Sequence, residues 1–141
     1  MLKSVRHVAV LVGAMMAWTP VANAEVLAKV SIASQTMNVF VDGALAYTWQ
    51  VSTGRPGFET PRGSFRALWL DPEHISSIYE DAPMPNSVFF NGGYAIHGSY
   101  DVRHLGRRAS HGCVRLSPAN AATLYGLIED DGLAHTHIVI R

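Results

Sequence analysis

A second cysteine is missing from this sequence: Cys113 stands alone, so no intramolecular disulfide can form. No apolar run reaches membrane-spanning length either. The uncharged stretch Val8 to Trp18 holds eleven residues, well short of the roughly 20 that cross a bilayer. There is no basic excess, with Lys plus Arg and Asp plus Glu both at 11. That balance argues against nucleic acid as a partner, because phosphate-backbone binding shows as a clear surplus of Lys and Arg. Internal repeats and low-complexity segments are also lacking, which excludes solenoids and disordered arrays.

What is present begins with an export pattern. Lys3, Arg6 and His7 precede the apolar run, and Pro20 and Ala22-Asn23-Ala24 follow it. This is the three-part form of a signal peptide over residues 1–24, cleaved after Ala24. The expected mature chain, residues 25–141, has 117 residues and fits one compact domain. It keeps nine Lys plus Arg against eleven Asp plus Glu, a formal charge of −2, and it has no integral membrane segment. A lone thiol sent to an oxidising compartment calls for a chemical reason. The positive charge is local to that thiol: Arg103, Arg107, Arg108 and Arg115 fall within thirteen residues that include Cys113.

From Val26 to Leu70 the pattern is short β-rich runs: Ala28 to Ala33, Met37 to Val41, Ala44 to Ser52 and Ser64 to Leu70. Asp42-Gly43 between two of them is a two-residue hairpin signal, since both turn positions need positive φ. The front half is therefore expected to be antiparallel sheet. Asp71 to Ser87 holds three prolines and four acidic residues without periodicity. It reads as a long irregular lid or binding loop, with His74, Tyr79 and Met84 as candidate substrate contacts. Strand character resumes at Val88 to Phe90 and Tyr94 to His97. Ser117-Pro118 marks a helix start, with Leu124, Leu127 and Ile128 as its apolar face and Gly132 as its stop. Thr136 to Ile140 suits a strand buried on both faces. The fold class is mainly β with one or two short helices.

A thiol attacks as thiolate, and with a free pKa near 8.5 only a few per cent is ionised at neutral pH, so Cys113 needs a base. Six histidines follow the signal: His74, His97, His104, His111, His135 and His137. His97 is the best placed, because a strand end holds an imidazole rigidly and Gly98 permits close backbone approach. His111, two residues from the sulfur, either shares its face in an extended segment or packs inward to fix the turn. Gly112 would let its own N–H and that of Cys113 converge on a developing oxyanion.

These residues carry a family resemblance. Ile96-His97-Gly98-Ser99 followed by Ser110-His111-Gly112-Cys113-Val114-Arg115-Leu116 resembles the L,D-transpeptidase (YkuD-type) catalytic domain. Val51-Ser52-Thr53-Gly54, Thr60-Pro61-Arg62-Gly63-Ser64-Phe65 and Met84-Pro85 ahead of Phe89-Phe90 fall in the matching order, so the likeness runs from about Val26 to Ile140. It implies a β-sandwich-like fold and acyl transfer from peptidoglycan tetrapeptide stems through a Cys113 thioester. An amine acceptor then forms a 3-3 cross-link. It also implies inhibition by carbapenems and no cofactor, while the N-terminal signal peptide implies a periplasmic location. By the same resemblance His97 is the general base, His111 in the Ser-His-Gly-Cys loop helps shape the catalytic site, Arg115 holds a substrate carboxylate, Ser110, Gly112 and Gly98 belong to the substrate-binding set, and Tyr79 lies near the oxyanion.

Three other readings stand beside this one. Water in place of the amine would make a peptidoglycan hydrolase or L,D-carboxypeptidase. A non-catalytic wall-binding domain would need neither Cys113 nor His97. A zinc site from His97, His111, Cys113 and His135 or His137 lacks the short paired spacing of the familiar motifs, so no metal is expected.

Overall fold

The computed structural model describes residues 25–141, and the expected signal segment lies outside them. The chain opens with a three-stranded meander: β1 (Val26–Ser31), β2 (Thr36–Val41) and β3 (Ala44–Gln50). The β2–β3 turn is Asp42-Gly43 with φ of 51° and 80°, the positive values that the Asp-Gly pair implied. After β4 (Gly63–Arg66) the chain leaves this sheet to build a second one from β5 (Trp69–Ile75), β6 (Pro83–Asn91), β7 (Tyr94–Gly98) and β8 (Val114–Leu116). Helix α1 (Pro118–Asp131) follows, and β9 (Thr136–Ile140) returns to the first sheet.

Strand order is β3-β2-β1-β9-β4 in one sheet and β5-β6-β7-β8 in the other. β9 inserts parallel to β1, with Ala28 beside Ile138, and antiparallel to β4. Its side chains alternate: Thr136, Ile138 and Ile140 are buried, while His137 and Val139 are half-exposed. The expected burial on both faces is therefore corrected, because only one face of this sheet is covered by the core. That core runs from Val26, Val30, Met37 and Val39 across to Val88, Phe90, Ile96, Val114 and Leu116.

The α1 start is set by sequence. Ser117 Oγ accepts from the Asn120 N–H at 3.2 Å, and Pro118 takes the first helical position, where no N–H is needed. Gly132, at φ 91°, ends it. The buried face is Ala121, Leu124, Tyr125 and Ile128, packed on β6 and β7. Leu127, expected on that face, is only partly buried. Each large chain so buried contributes about 1.5–3 kcal/mol, and together they press α1 against the strand that ends in His97.

The expected irregular stretch Asp71 to Ser87 is instead a hairpin. β5 pairs antiparallel with β6, Trp69 opposite Phe89 and Ile75 opposite Pro83, leaving only residues 76–82 as its loop. The prolines mislead because they sit where the ladder asks for no N–H. Pro72 lies on an edge strand, and Pro83 and Pro85 lie in the half of β6 that β5 alone flanks. The hairpin tip is pinned by Ser76 Oγ, which accepts from the Tyr79 N–H at 3.0 Å.

Candidate active site

Cys113 sits just before β8, at the end of a loop whose shape is fixed by Ser110. The Ser110 hydroxyl donates to the Cys113 carbonyl at 2.6 Å and accepts from the Gly112 N–H at 3.0 Å. Buried Thr60 braces the same turn, its Oγ1 donating to the Gly112 carbonyl and accepting from the Gly54 N–H, both at 2.8 Å. The Val51–Gly54 segment is held in turn by buried Gln35, which donates to Thr53 Oγ1 at 2.6 Å and accepts from the Thr53 N–H at 2.9 Å. Backbone bonds Ser52 to Arg115 and Ser110 to Thr53 then stitch this segment to the nucleophile strand.

The sulfur receives one hydrogen bond, from the Ala95 N–H at 3.4 Å, and its own hydrogen faces the Gly93 carbonyl at 3.9 Å. Burial pushes the thiol up from its ordinary range, against the Ala95 bond and the Arg115 charge, which act the other way. At rest Cys113 is a neutral thiol.

His97 is on β7, buried, and lines one cleft with Cys113. Its Nδ1 lies 2.6 Å from the Gly98 carbonyl. A carbonyl only accepts, so Nδ1 carries the hydrogen and Nε2 is left as the lone-pair nitrogen. Burial lowers its pKa to about 4, opposed by the Gly98 bond and assisted by Arg115 and His74. The imidazole is neutral, with its lone pair on Nε2. Gly98 also admits the helix: a side chain there would meet Pro118 Cα at 3.2 Å and Ala121 Cβ at 3.3 Å.

The cleft, about 100 Å³, is lined by Ser76, Tyr79, Ala82, Pro83 and Met84 of the β5–β6 hairpin together with His111 and Arg115. Tyr79 stacks flat on His111, with centroids 4.1 Å apart and planes 8° apart, and Phe58 meets His111 edge-on at 5.1 Å. His111 thus packs between two rings, and its pKa is lowered by desolvation and then by Arg55 and Arg115. Arg115 reaches toward Asp101 Oδ2, but at 3.8 Å, because His104 Nδ1 holds that oxygen at 2.6 Å. Its fork therefore remains available to a ligand in the cleft.

Of the residues expected in the site, Cys113, His97, His111, Arg115, Ser110 and Tyr79 line one cleft, as does Met84. His74 borders the sulfur from an adjoining groove, held by Asp71 at 2.9 Å and packed edge-on against Phe89. His135 and His137 lie near and on β9, apart from the cleft lining, so the zinc grouping considered from sequence is not assembled. The oxyanion role expected of the Gly112 N–H is also corrected, since Ser110 Oγ takes that donor. Gly112 is required for another reason. At φ 122° it lies under the Tyr94 ring, where a Cβ would come within 2.6 Å of Cε1. Sequence reasoning missed Gln35, Thr60 and Tyr94 as supports. Gln35 and Thr60 are buried polar residues, and burial is what a sequence does not display.

A family model of the L,D-transpeptidase catalytic domain, YkuD, matches residues 25–139. L,D-transpeptidase 1 of Mycobacterium tuberculosis is 30% identical over 112 residues, covering 70% of this chain and 45% of that protein. The chain thus spans about half the length of the curated relatives it matches. Among solved structures, an L,D-transpeptidase from Mycobacterium smegmatis superposes with a TM-score of 0.74 at 32% identity, over 84% of this chain and 59% of that one. The L,D-transpeptidase LdtMt1 in complex with imipenem gives a TM-score of 0.75 at 25% identity, over 84% and 59%. In sequence and in two-sheet architecture alike, the chain belongs to the L,D-transpeptidase catalytic domain family.

Proposed function

We propose that the protein is a cysteine-dependent L,D-transpeptidase acting on peptidoglycan tetrapeptide stems. The observation that carries this reading is the pairing, in one cleft, of the only thiol with a buried histidine whose Nδ1–H is tied to a carbonyl. Both groups are neutral at rest, so the proton leaves sulfur for His97 Nε2 as the sulfur attacks the diaminopimelate carbonyl. An S–C bond forms, the C–N bond to the terminal D-alanine breaks, and the His97 proton goes to the departing amine. A thioester on Cys113 remains. An amine of a second stem, losing a proton to His97, then displaces the thiol and closes a 3-3 cross-link. Arg115 serves as the carboxylate clamp, and the Ala95 N–H supports charge on sulfur during transfer.

Export by the N-terminal signal would place this chemistry in the periplasm. A relative solved with imipenem supports the expectation that carbapenems acylate Cys113. Intact-mass measurement of the purified protein after incubation with a carbapenem and with tetrapeptide stems, with Cys113→Ala as control, tests the proposal. The expected result is a covalent adduct and cross-linked product on the wild type alone. Absence of any adduct overturns the nucleophile, and hydrolysed stems without cross-links would assign water as the acceptor.

A further inference from the structure

Arg55 is exposed and bonded to the nucleophile loop, with no acidic partner among the described residues. Its place is nonetheless fixed at both ends. The backbone N–H donates to the Ser110 carbonyl at 3.0 Å, tying Arg55 to the nucleophile loop, and the guanidinium lies over the Phe58 ring, 4.7 Å from its centroid. Phe58 abuts His111, which stacks on Tyr79, so a continuous row of rings leads from Arg55 to the lining of the Cys113 cleft. The neighbouring acid is turned away: Glu59 Oε1 accepts from the Gly57 N–H at 2.9 Å. Arg108, the other cation here, already spends its Nε–H on the Gly54 carbonyl at 2.9 Å.

An oriented guanidinium stacked on an aromatic face, with its edge open to water, is arranged for a planar anion. The fields of Arg55 and Arg115 both reach His111, the ring that links Phe58 to the cleft lining. We propose that Arg55 is a second carboxylate-binding subsite, taking a non-terminal carboxylate of the donor stem while Arg115 serves the carboxylate next to the reacting carbonyl. This rests on the transpeptidase reading and extends it to specificity: the site selects stems that carry at least two free carboxylates.

The test compares tetrapeptide stems whose non-terminal carboxylates are free with the same stems amidated, using wild type, Arg55→Gln and Arg55→Lys at low and at physiological salt. Expected is a KM for the free stem about fivefold below that for the amidated stem in the wild type, the size of one solvent-facing charged contact. In Arg55→Gln that ratio falls to about one. In Arg55→Lys it is partly kept, and added salt shrinks it in the wild type. Equal shifts for both stems in Arg55→Gln, or no shift in either, would overturn the subsite while leaving the transpeptidase reading intact. Turnover of neither stem by the wild type would overturn both. Thermal melting of the variants separates a binding loss from unfolding.

Discussion

His97 stays neutral down to about pH 4 because burial opposes its charge. The acylation rate is therefore expected to stay level as pH falls from 7 to about 5 and to drop as the ring protonates near pH 4, read as carbapenem adduct formation against time. Because the sulfur and the ring share the proton, the apparent value belongs to the pair. Stability follows the same group. With a folded value near 4 and an ordinary value of 6.5, the unfolded chain binds the extra proton first. Stability is full above pH 6.5 and falls as pH drops toward 4, by up to about 3 kcal/mol. His97→Gln should flatten that slope in denaturant titrations. Gly112→Ala is the second prediction at this scale. Its φ of 122° and the Tyr94 contact both oppose a side chain. We expect a loss of about 1–3 kcal/mol and strongly slowed acylation, and Tyr94→Ala in the same chain should relieve the clash but not the backbone strain.

The loop that presents Cys113 is held by strands remote in sequence, so its weakest points are single hydroxyls. Thr60→Val keeps the shape but leaves the Gly112 carbonyl and the Gly54 N–H without their shared partner. A cost of about 1–3 kcal/mol is expected, together with acylation slowed about tenfold or more as the loop loosens, both measurable on one preparation. Elements whose causes are local were readable in advance. Asp42-Gly43 dictated its own turn, and Ser117-Pro118 with Gly132 bounded α1. The β5–β6 hairpin was not, because a proline's harmlessness depends on which edge of the sheet it faces. The site divides in the same way. Cys113, His97 and Arg115 announced themselves by residue type and motif. The capture of the Gly112 N–H by Ser110 is a matter of loop geometry, with no trace in residue spacing.

At the scale of the whole molecule, β9 lies between β1 and β4 in one sheet, while Cys113 and His97 belong to the other sheet and the loop before β8. Ile138 of β9 is fully buried. Ile138→Ala should cost about 2–5 kcal/mol and lower the unfolding midpoint equally by fluorescence and circular dichroism, with the acylation rate of the folded fraction unchanged. A selective loss of activity at full stability would instead couple that sheet directly to the cleft. The neutral resting state of Cys113 has a consequence for the life of the protein among oxidants and electrophiles. Peroxide and iodoacetamide both select thiolates, so a sulfur kept protonated by burial is a poor target for them. In the proposed mechanism the proton leaves sulfur only when an acyl group lies in the cleft beside His97. The side chain is expected to resist iodoacetamide at neutral pH while a carbapenem still labels it rapidly, a built-in safety catch on an unpaired cysteine.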